Sequence, residues 1–281
     1  MRKTTGMPLA FTKMEGLGND FMVVDARSRA FAPDPARVRQ LADRRSGVGF
    51  DQLLVLEPAG DGASAFAYRI WNADGGEVAQ CGNGARCLAW LWARELSPGA
   101  EAFEMQSPAG PVAARVGRDG VAVCMGEPVF EPGRIPLKAT SEAARYTIEA
   151  AGNRVELGAV SMGNPHAVIA VDDVAAAPVS VLGPALGAHP AFPESVNVGF
   201  VQRLGPAHLA LRVHERGAGE TRACGTGACA AVAVLRDRGE GDARVRVDLP
   251  GGRLEVEWPG RGHPLWMKGP ARKVFEGIVE A

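Results

Sequence analysis

One cysteine–glycine pattern occurs twice in the sequence and decides the fold that we expect: it is CGNGA at 81–85 and CGTGA at 224–228. Each copy leads into a stretch that is apolar on nearly all sides, 83–95 and 227–238, as in a helix buried within a domain. The two cysteines lie 143 residues apart in a chain of 281 residues, which is the spacing of a duplicated domain. The pattern therefore predicts two similar domains, each with one buried helix.

Short strand patterns surround both of these helices, and shorter helical patterns occur at 36–44 and 179–188. In the first half the predicted strands are 11–14, 22–25, 53–57, 67–72, 102–106, 112–116 and 121–125. In the second half they are 146–150, 154–160, 167–171, 197–203, 207–214, 244–249, 253–258 and 271–280. Each half is therefore expected to wrap a sheet around its central helix, with room for a cleft between the two domains.

The composition excludes several classes of protein. There are 31 basic and 32 acidic residues, 46% of the residues are hydrophobic and 22% are charged, so the sequence favours a globular protein and predicts neither disorder nor a nucleic-acid partner. The longest nearly apolar stretch, 228–235, is far shorter than the ~18 residues of a membrane helix, and the N-terminus lacks the apolar core of a signal peptide. We expect a cytoplasmic protein without a membrane partner.

The repeated pattern indicates proton-transfer chemistry. A thiol at a helix N-terminus lies at the positive end of the helix dipole, so we expect the pKa of Cys81 and of Cys224 to be lowered. The adjacent glycines let backbone N–H groups approach a carboxylate closely. Two such thiols on opposite sides of one anion site would remove a proton from one face of a carbon and return one to the other, which is racemisation or epimerisation.

The other cysteines have simpler interpretations. Cys87, Cys124 and Cys229 are expected to be small buried side chains, and an odd number of five cysteines argues against a disulfide framework. The spacings C-x5-C and C-x4-C do not fit the ligand pairs of a zinc site, so no metal is expected. Glu215 and Arg216 precede Cys224 in the same loop, which lets them reach the site, although loop charges of this kind are usually solvated.

Longer motifs along the whole chain resemble those of the diaminopimelate epimerase family. They are GLGNDF at 16–21, GVGFDQ at 47–52, NADG at 72–75, AQCGNGARC at 79–87, GNPH at 163–166, ERGAGET at 215–221 and ACGTGA at 223–228. The resemblance implies an α/β fold of the α+β type with two domains, each a curved, mostly antiparallel sheet around a central helix. The first domain would consist of residues 1–126 and 270–281, and the second of residues 127–269. The active site would lie between the two domains.

The same resemblance implies an enzyme that interconverts LL- and meso-2,6-diaminopimelate in lysine biosynthesis, without a cofactor and as a homodimer. Cys81 and Cys224 would be the catalytic thiols, with His166 and Glu215 close enough to tune them. The remaining residues implied in substrate binding are Asn19, Gln52, Asn72, Gly82, Asn83, Asn164, Asn197, Arg216, Gly225 and Thr226, with Glu215 again among them.

Two alternatives stay open at this point. A racemase of the proline type would share the fold and the two thiols, but it would not need Arg216 and several asparagines to bind a second amino-acid head. A binding protein could use the two helix N-termini as a carboxylate clamp without any proton transfer. It would keep its affinity when both Cys81 and Cys224 are replaced by serine.

Overall fold

A computed structural model describes residues 8–60 and 62–280 of the chain. The chain divides into two units, one formed by the sequence up to Val123 with the segment from Gly269 onward, the other by Cys124–Lys268. Residues 1–7, which belong to the first predicted domain, lie outside the described residues. Within the described ranges, no helix has both the length and the apolar character needed to span a membrane.

The first part of the chain is mainly strands. They are β1 (Pro8–Gly16), β2 (Asn19–Asp25), β3 (Gln52–Glu57), β4 (Phe66–Asn72), β5 (Glu77–Val78), β6 (Ala102–Ser107), β7 (Gly110–Gly117) and β8 (Gly120–Cys124). Helix α1 spans Pro35–Ala42, and helix α2 spans Gly82–Leu91. Asp34 caps α1 and Pro35 opens it, where proline fits because the first N–H groups of a helix have no partner within it.

The second part of the chain repeats this plan. Its strands are β9 (Tyr146–Ala150), β10 (Asn153–Ser161), β11 (Pro165–Ala170), β12 (Asn197–Gly205), β13 (His208–Glu215), β14 (Gly219–Thr221), β15 (Arg244–Leu249), β16 (Gly252–Glu257) and β17 (Trp266–Gly269). Helix α3 spans Val179–Gly187, helix α4 spans Gly225–Asp237, and a short 3-10 helix spans Pro132–Arg134. The last strand, β18 (Arg272–Glu280), belongs to the first unit.

Both units follow one order of strand pairing. In the first, β1 and β2 pair antiparallel, β2 pairs parallel with β3, β3 antiparallel with β4, β4 parallel with β6, and β6, β7 and β8 antiparallel. In the second, β10 to β13 and β15 to β17 repeat the same sequence of pairings. One further strand pairs antiparallel with the first of each series, β18 with β1 and β9 with β10. This repetition confirms the predicted fold class of two similar, mostly antiparallel sheets.

A buried helix lies against each sheet. Helix α2 contacts β1, β2, β7 and β18, and helix α4 contacts β10 to β13 and β16. Nearly every residue of both helices is buried, including Gly84 and Ala85 in α2 and Gly227 and Ala228 in α4. A helix without a polar face is stable in a globular protein only when other elements cover it, which explains why both helices lie inside their units.

The predicted helix over 83–95 differs from the observed one. The α-helix ends at Leu91, and a π-helical turn over Trp92–Leu96 follows. The Trp92 ring packs 4.9 Å from that of Phe66, and the Arg27 guanidinium lies 4.9 Å above it on the ring face. Trp92 and Ala93 continue the apolar stretch of α2, so the sequence pattern does not show where the α-helix ends. The sequence also missed β5, β14 and β17, which are too short to show an alternation.

Candidate active site

Cys81 is the N-cap residue of α2. Its backbone is extended, with φ −149° and ψ 110°, and the Gly84 N–H donates to its Sγ atom at 3.4 Å. The side chain is partly exposed. The sulfur therefore faces the first turn of the helix, where unpaired backbone N–H groups and the helix dipole stabilise an anion.

Two asparagines and an arginine form a network beside Cys81. The Oδ1 atom of Asn19, at the start of β2, lies 3.9 Å from Cys81 Sγ and accepts a hydrogen bond from Asn83 Nδ2 at 3.3 Å. Asn83 is buried, and its own Oδ1 accepts from Arg86 Nη2 at 2.9 Å. The thiol, both amides and the guanidinium are thus linked through successive polar contacts.

Charged side chains hold Asn19 from its other end. Asn19 Nδ2 donates to Asp51 Oδ2 at 2.9 Å, and Arg44 bridges Asp51 and Asp20, at 2.7 Å from an oxygen of each. Burial alone would raise the pKa of Asp20, but hydrogen bonds and charge from Arg44 and Lys13 lower it well below its usual range. Asp20 is therefore ionised at neutral pH. The hydrogen bonds of Asn19 to Asp51 and from Asn83 fix its side-chain amide between these two residues.

Gln52 and Asn72 form a second pair at the same end of the sheet. They are the first residue of β3 and the last residue of β4, and they lie opposite each other in the antiparallel register. Gln52 Nε2 donates to Asn72 Oδ1 at 2.9 Å. Gln52 Oε1 is buried and has no hydrogen-bond partner among the described residues. Because buried acceptors are rarely left unpaired in native structures, this oxygen is suited to a donor on a ligand.

Cys224 is the N-cap residue of α4, which begins two residues earlier than predicted. The thiol is only 3% exposed, and its Sγ atom lies 3.6 Å from Thr226 Oγ1. Burial, followed by the negative charge of Glu215, raises the pKa of Cys224 well above its usual value. The expected lowering of this pKa is therefore wrong, because removal from water and a nearby carboxylate outweigh the helix N-terminus.

A second polar chain leads away from Cys224. Asn164 Nδ2 donates to Thr226 Oγ1 at 3.4 Å, and Asn164 Oδ1 accepts from His166 Nε2 at 3.0 Å. Burial, with the charge of Arg216 as a second cause, lowers the pKa of His166 to about 3. His166 is therefore neutral at pH 7 and orients Asn164 by a hydrogen bond rather than by a charge.

Asn197 and the loop after β13 are the remaining parts of the candidate site in the second unit. The Asn197 side chain is buried, donates to the Pro165 carbonyl at 3.0 Å and accepts from the Arg216 backbone N–H at 2.9 Å. The Arg216 side chain is exposed and donates to the Glu194 carbonyl at 2.8 Å. Asn197 thereby fixes the backbone where β13 ends at Glu215 and the following loop begins at Arg216.

The predicted site residues fall into one set in each unit. The first unit holds Asn19, Gln52, Asn72, Cys81, Gly82 and Asn83, and the second holds Asn164, His166, Asn197, Glu215, Arg216, Cys224, Gly225 and Thr226. Asn19 and Asn83 lie together beside Cys81, whereas Gln52 and Asn72 bond to each other.

Sequence reasoning missed two residues that support the first set. Asp51, which holds Asn19, lies inside the GVGFDQ motif and directly precedes Gln52. Arg86 is the charged residue of helix α2, whose other residues are apolar or glycine apart from Asn83. Its place in the sequence could have marked it, because a charge is rarely buried without a partner.

The repeat also extends further than the cysteine pattern. Arg69 donates two hydrogen bonds to Glu77, each at 2.7 Å, and Arg212 donates two to Glu220, at 2.7 and 3.0 Å. These pairs lie 143 residues apart, the same offset as Cys81 and Cys224. Among the described residues, no group of three or more His, Cys, Asp or Glu side chains is arranged to hold a metal ion.

Comparison with known proteins identifies the family. A family model described as diaminopimelate epimerase matches residues 11–131 and 158–274, which is most of the chain. The chain belongs to the diaminopimelate epimerase family. It is 54% identical to the diaminopimelate epimerase of Alkalilimnicola ehrlichii over 276 residues, covering 97% of this chain and 99% of that protein. It is 51% identical to that of Ectopseudomonas mendocina over 274 residues, covering 97% and 99%.

Solved structures share the fold at much lower sequence identity. One of them is a hydroxyproline epimerase from Agrobacterium vitis with bound trans-4-hydroxy-L-proline. The match covers 99% of the present chain and 94% of the hydroxyproline epimerase chain, with a TM-score of 0.70 and 17% sequence identity. A phenazine biosynthesis protein of the PhzF family from Enterococcus faecalis matches 97% and 99%, with a TM-score of 0.68 and 14% identity. These likenesses show that the two-domain fold extends beyond the diaminopimelate epimerase family.

Proposed function

We propose that the chain interconverts LL- and meso-2,6-diaminopimelate in the diaminopimelate route of lysine biosynthesis, in the cytoplasm and without a cofactor. The observation that carries this proposal is the pair of cysteines, each the N-cap of a buried helix within the same glycine pattern, in a chain of the diaminopimelate epimerase family. Relatives more than half identical over nearly their whole length bear the name of that enzyme.

The proposed reaction needs one thiolate and one thiol. The thiolate takes the α-proton from one face of the carbon, and the electron pair of the broken C–H bond moves toward the substrate carboxylate. The thiol then gives its proton to the opposite face, so that each sulfur ends in the state the other had at the start. Backbone N–H groups of Gly82, Asn83, Gly225 and Thr226 would hold the carboxylate, where donors stabilise the negative charge that develops in the transition state.

The two thiols would enter this cycle in different protonation states. Burial and the Glu215 carboxylate raise the pKa of Cys224, which favours its neutral form at pH 7. Cys224 is therefore suited to donate the proton first, and Cys81 to remove one. In the reverse direction the roles exchange, because a proton given up by Cys224 leaves it as the base.

The second amino-acid head distinguishes this substrate from proline, and polar side chains are available for it. The buried, unpaired Gln52 Oε1 is an acceptor suited to an ammonium group, and the exposed Arg216 guanidinium is suited to a carboxylate. Asn72, Asn164 and Asn197 would supply further hydrogen bonds. These assignments predict that removing the Gln52 amide weakens binding of diaminopimelate.

Proton NMR in D2O tests the function directly. Purified, reduced protein without added cofactor is incubated with LL-diaminopimelate, and we expect loss of α-proton intensity as the meso isomer forms. Cys81→Ala and Cys224→Ala should each abolish interconversion, whereas the matched control Cys87→Ala, in the same helix as Cys81, should retain it. Folded, reduced protein that exchanges no α-proton would refute the assignment, and L-proline in the same assay would separate the two racemase hypotheses.

We also propose that the chain forms a homodimer through β18. The pairings described for this strand are all with β1, and Val274, Phe275 and Ile278 on it are exposed to 49%, 48% and 73%. An edge strand with exposed apolar side chains favours a protein contact, and an antiparallel edge is self-complementary about a two-fold axis. A second copy of this chain is therefore the occupant that we propose for this surface.

Light scattering after size-exclusion chromatography tests the dimer. Ile278→Asp should reduce the measured mass from that of a dimer toward that of a monomer. Val181→Asp is the matched control, because Val181 is a similarly exposed apolar residue, at 53%, outside β18, and should not change the mass. A wild-type protein of monomer mass at micromolar concentration would contradict the proposal.

A further inference from the structure

Arg86 is a fully buried cation in the helix that Cys81 caps. It is 0% exposed and lies in α2, whose other residues are apolar or glycine apart from Asn83. Burial of a guanidinium is unfavourable unless polar groups partner it, and a positive charge in the first turns of a helix opposes the helix dipole. Helix stability therefore does not explain why this position holds an arginine.

One contact of Arg86 leads toward the thiol. Its Nη2 atom donates to Asn83 Oδ1 at 2.9 Å, and its Nε atom donates to the Pro270 carbonyl at 3.4 Å. With its Oδ1 held in this way, Asn83 presents Nδ2 to Asn19, whose oxygen lies 3.9 Å from Cys81 Sγ. Side chains of a helix lean toward its N-terminus, which directs Arg86 to the end where Cys81 lies.

The second copy of the pattern lacks this arrangement. The position 143 residues after Arg86 is Cys229, a buried cysteine, and Thr226 takes the place of Asn83. The charge that acts on Cys224 is negative and comes from the Glu215 carboxylate. Cys81 thus caps a helix that contains the buried cation Arg86, whereas Cys224 has the negative charge of Glu215 nearby.

We propose that Arg86 is a positioning residue for Cys81: it orients Asn83 and, through its charge, stabilises the Cys81 thiolate relative to the Cys224 thiolate. An opposite charge near an ionisable group favours its ionised form, and inside a protein the effect extends beyond direct contact. The effect of Arg86 on turnover rests on the proposed function. Its effect on the ionisation of Cys81 is independent of that function, because this ionisation can be measured without substrate.

The pH dependence of thiol alkylation tests the proposal. Folded protein is treated with a limiting amount of iodoacetamide from pH 5 to 10, and the modification of Cys81 and Cys224 is quantified separately by peptide mass spectrometry. In Arg86→Met, which keeps the length of the side chain without its charge, the midpoint for Cys81 should rise by about one pH unit or more. The midpoint for Cys224 in the same samples should stay unchanged.

Two further variants separate charge from structure. Arg86→Lys keeps the charge without the planar fork, so it should shift the Cys81 midpoint by less than Arg86→Met does. Cys229→Ala, at the equivalent position of the second copy, should shift neither midpoint. A folded Arg86→Met protein with the wild-type Cys81 midpoint would overturn the proposal, as would a lower melting temperature without any shift.

If Arg86→Met does not fold, Arg86→Lys and Asn83→Ala replace it. Each should raise the Cys81 midpoint, and unchanged midpoints in both would overturn the proposal. The D2O exchange assay on the same preparations keeps the two questions apart. Wild-type protein without exchange would refute the epimerase function and leave the alkylation result to decide the role of Arg86.

Discussion

The last glycine of each repeated pattern offers a matched pair of substitutions. A Cβ atom added at Gly227 would lie 3.2 Å from Cys224 Cβ and 3.3 Å from its Sγ atom, and 3.0 Å from Val213 Cγ2. A Cβ added at Gly84 would instead meet Leu54, at 3.1 and 3.4 Å from its two terminal carbons, and Phe21 at 3.5 Å. Gly227→Ala therefore displaces the Cys224 thiol, which we propose to be catalytic, whereas Gly84→Ala displaces the flexible end of a core side chain.

The expected size of each effect follows from these distances. Carbon atoms pack at about 3.5 to 4.0 Å, so relief of the contacts at Gly227 moves the thiol by a few tenths of an ångström. Since a misplacement of about 1 Å reduces rates about 100-fold, Gly227→Ala should reduce kcat roughly 3- to 10-fold. Gly84→Ala adds about 1 kcal/mol of helix propensity against a packing cost of about 1 to 3 kcal/mol, so it should change stability and leave kcat within about two-fold.

Two assays on both variants check this reasoning. The rate of meso-diaminopimelate formation at saturating LL isomer gives kcat, and differential scanning calorimetry gives the stability of the same preparations. We expect the loss of kcat to be confined to Gly227→Ala. Equal losses in two folded variants would show that the glycines are needed for backbone approach alone and that the contact with the thiol is irrelevant.

Further predictions concern charge and packing in the second unit. Burial is the larger cause of the raised pKa of Cys224, and the negative charge of Glu215 is the second. Glu215→Gln removes this second cause, so alkylation of the thiol should begin at lower pH, and an unchanged alkylation profile would contradict the effect of the charge. Gly183→Ala places a Cβ atom 2.5 Å from His214 Cγ and should destabilise the protein by about 1 to 3 kcal/mol. Gly187→Ala in the same helix meets nothing nearer than 3.5 Å and should stabilise it by about 0.5 to 1 kcal/mol, so calorimetry should give opposite signs.

The sequence predicted the fold well where the pattern is periodic or repeated. Helices α2 and α4 could be predicted because apolar residues surround their whole circumference, and the repeated glycine pattern marks where both begin. The π-turn over Trp92–Leu96 was not predicted, because Trp92 and Ala93 continue the apolar stretch of α2 and nothing in that stretch marks the change of helix type. Strands of two to four residues are too short to show an alternation of apolar and polar residues. They can be recognised only from their hydrogen bonds to neighbouring strands.

The sequence predicted where the candidate residues lie in the fold, but it did not predict the charges around them. Every predicted residue of the first set lies at a helix start or a strand end, where the motifs placed it. The raised pKa of Cys224 could not be derived from the sequence, because it depends on how completely the folded chain removes the thiol from water and on how near Glu215 lies. Helix position alone predicts the opposite sign.

The differences between the two copies are more informative than their likeness. Arg69 with Glu77 and Arg212 with Glu220 lie at the same offset and make the same double hydrogen bond, so the strand ends before the two helices keep one geometry. At that same offset, Arg86 corresponds to Cys229, a change of charge. A reaction that starts from one thiolate and one thiol needs two similar positions, and different electrostatic surroundings bias which of the two thiols is ionised. On the proposed mechanism, the repeated residues bring the thiols to equivalent positions, and the residues that differ determine which sulfur holds the proton before substrate arrives.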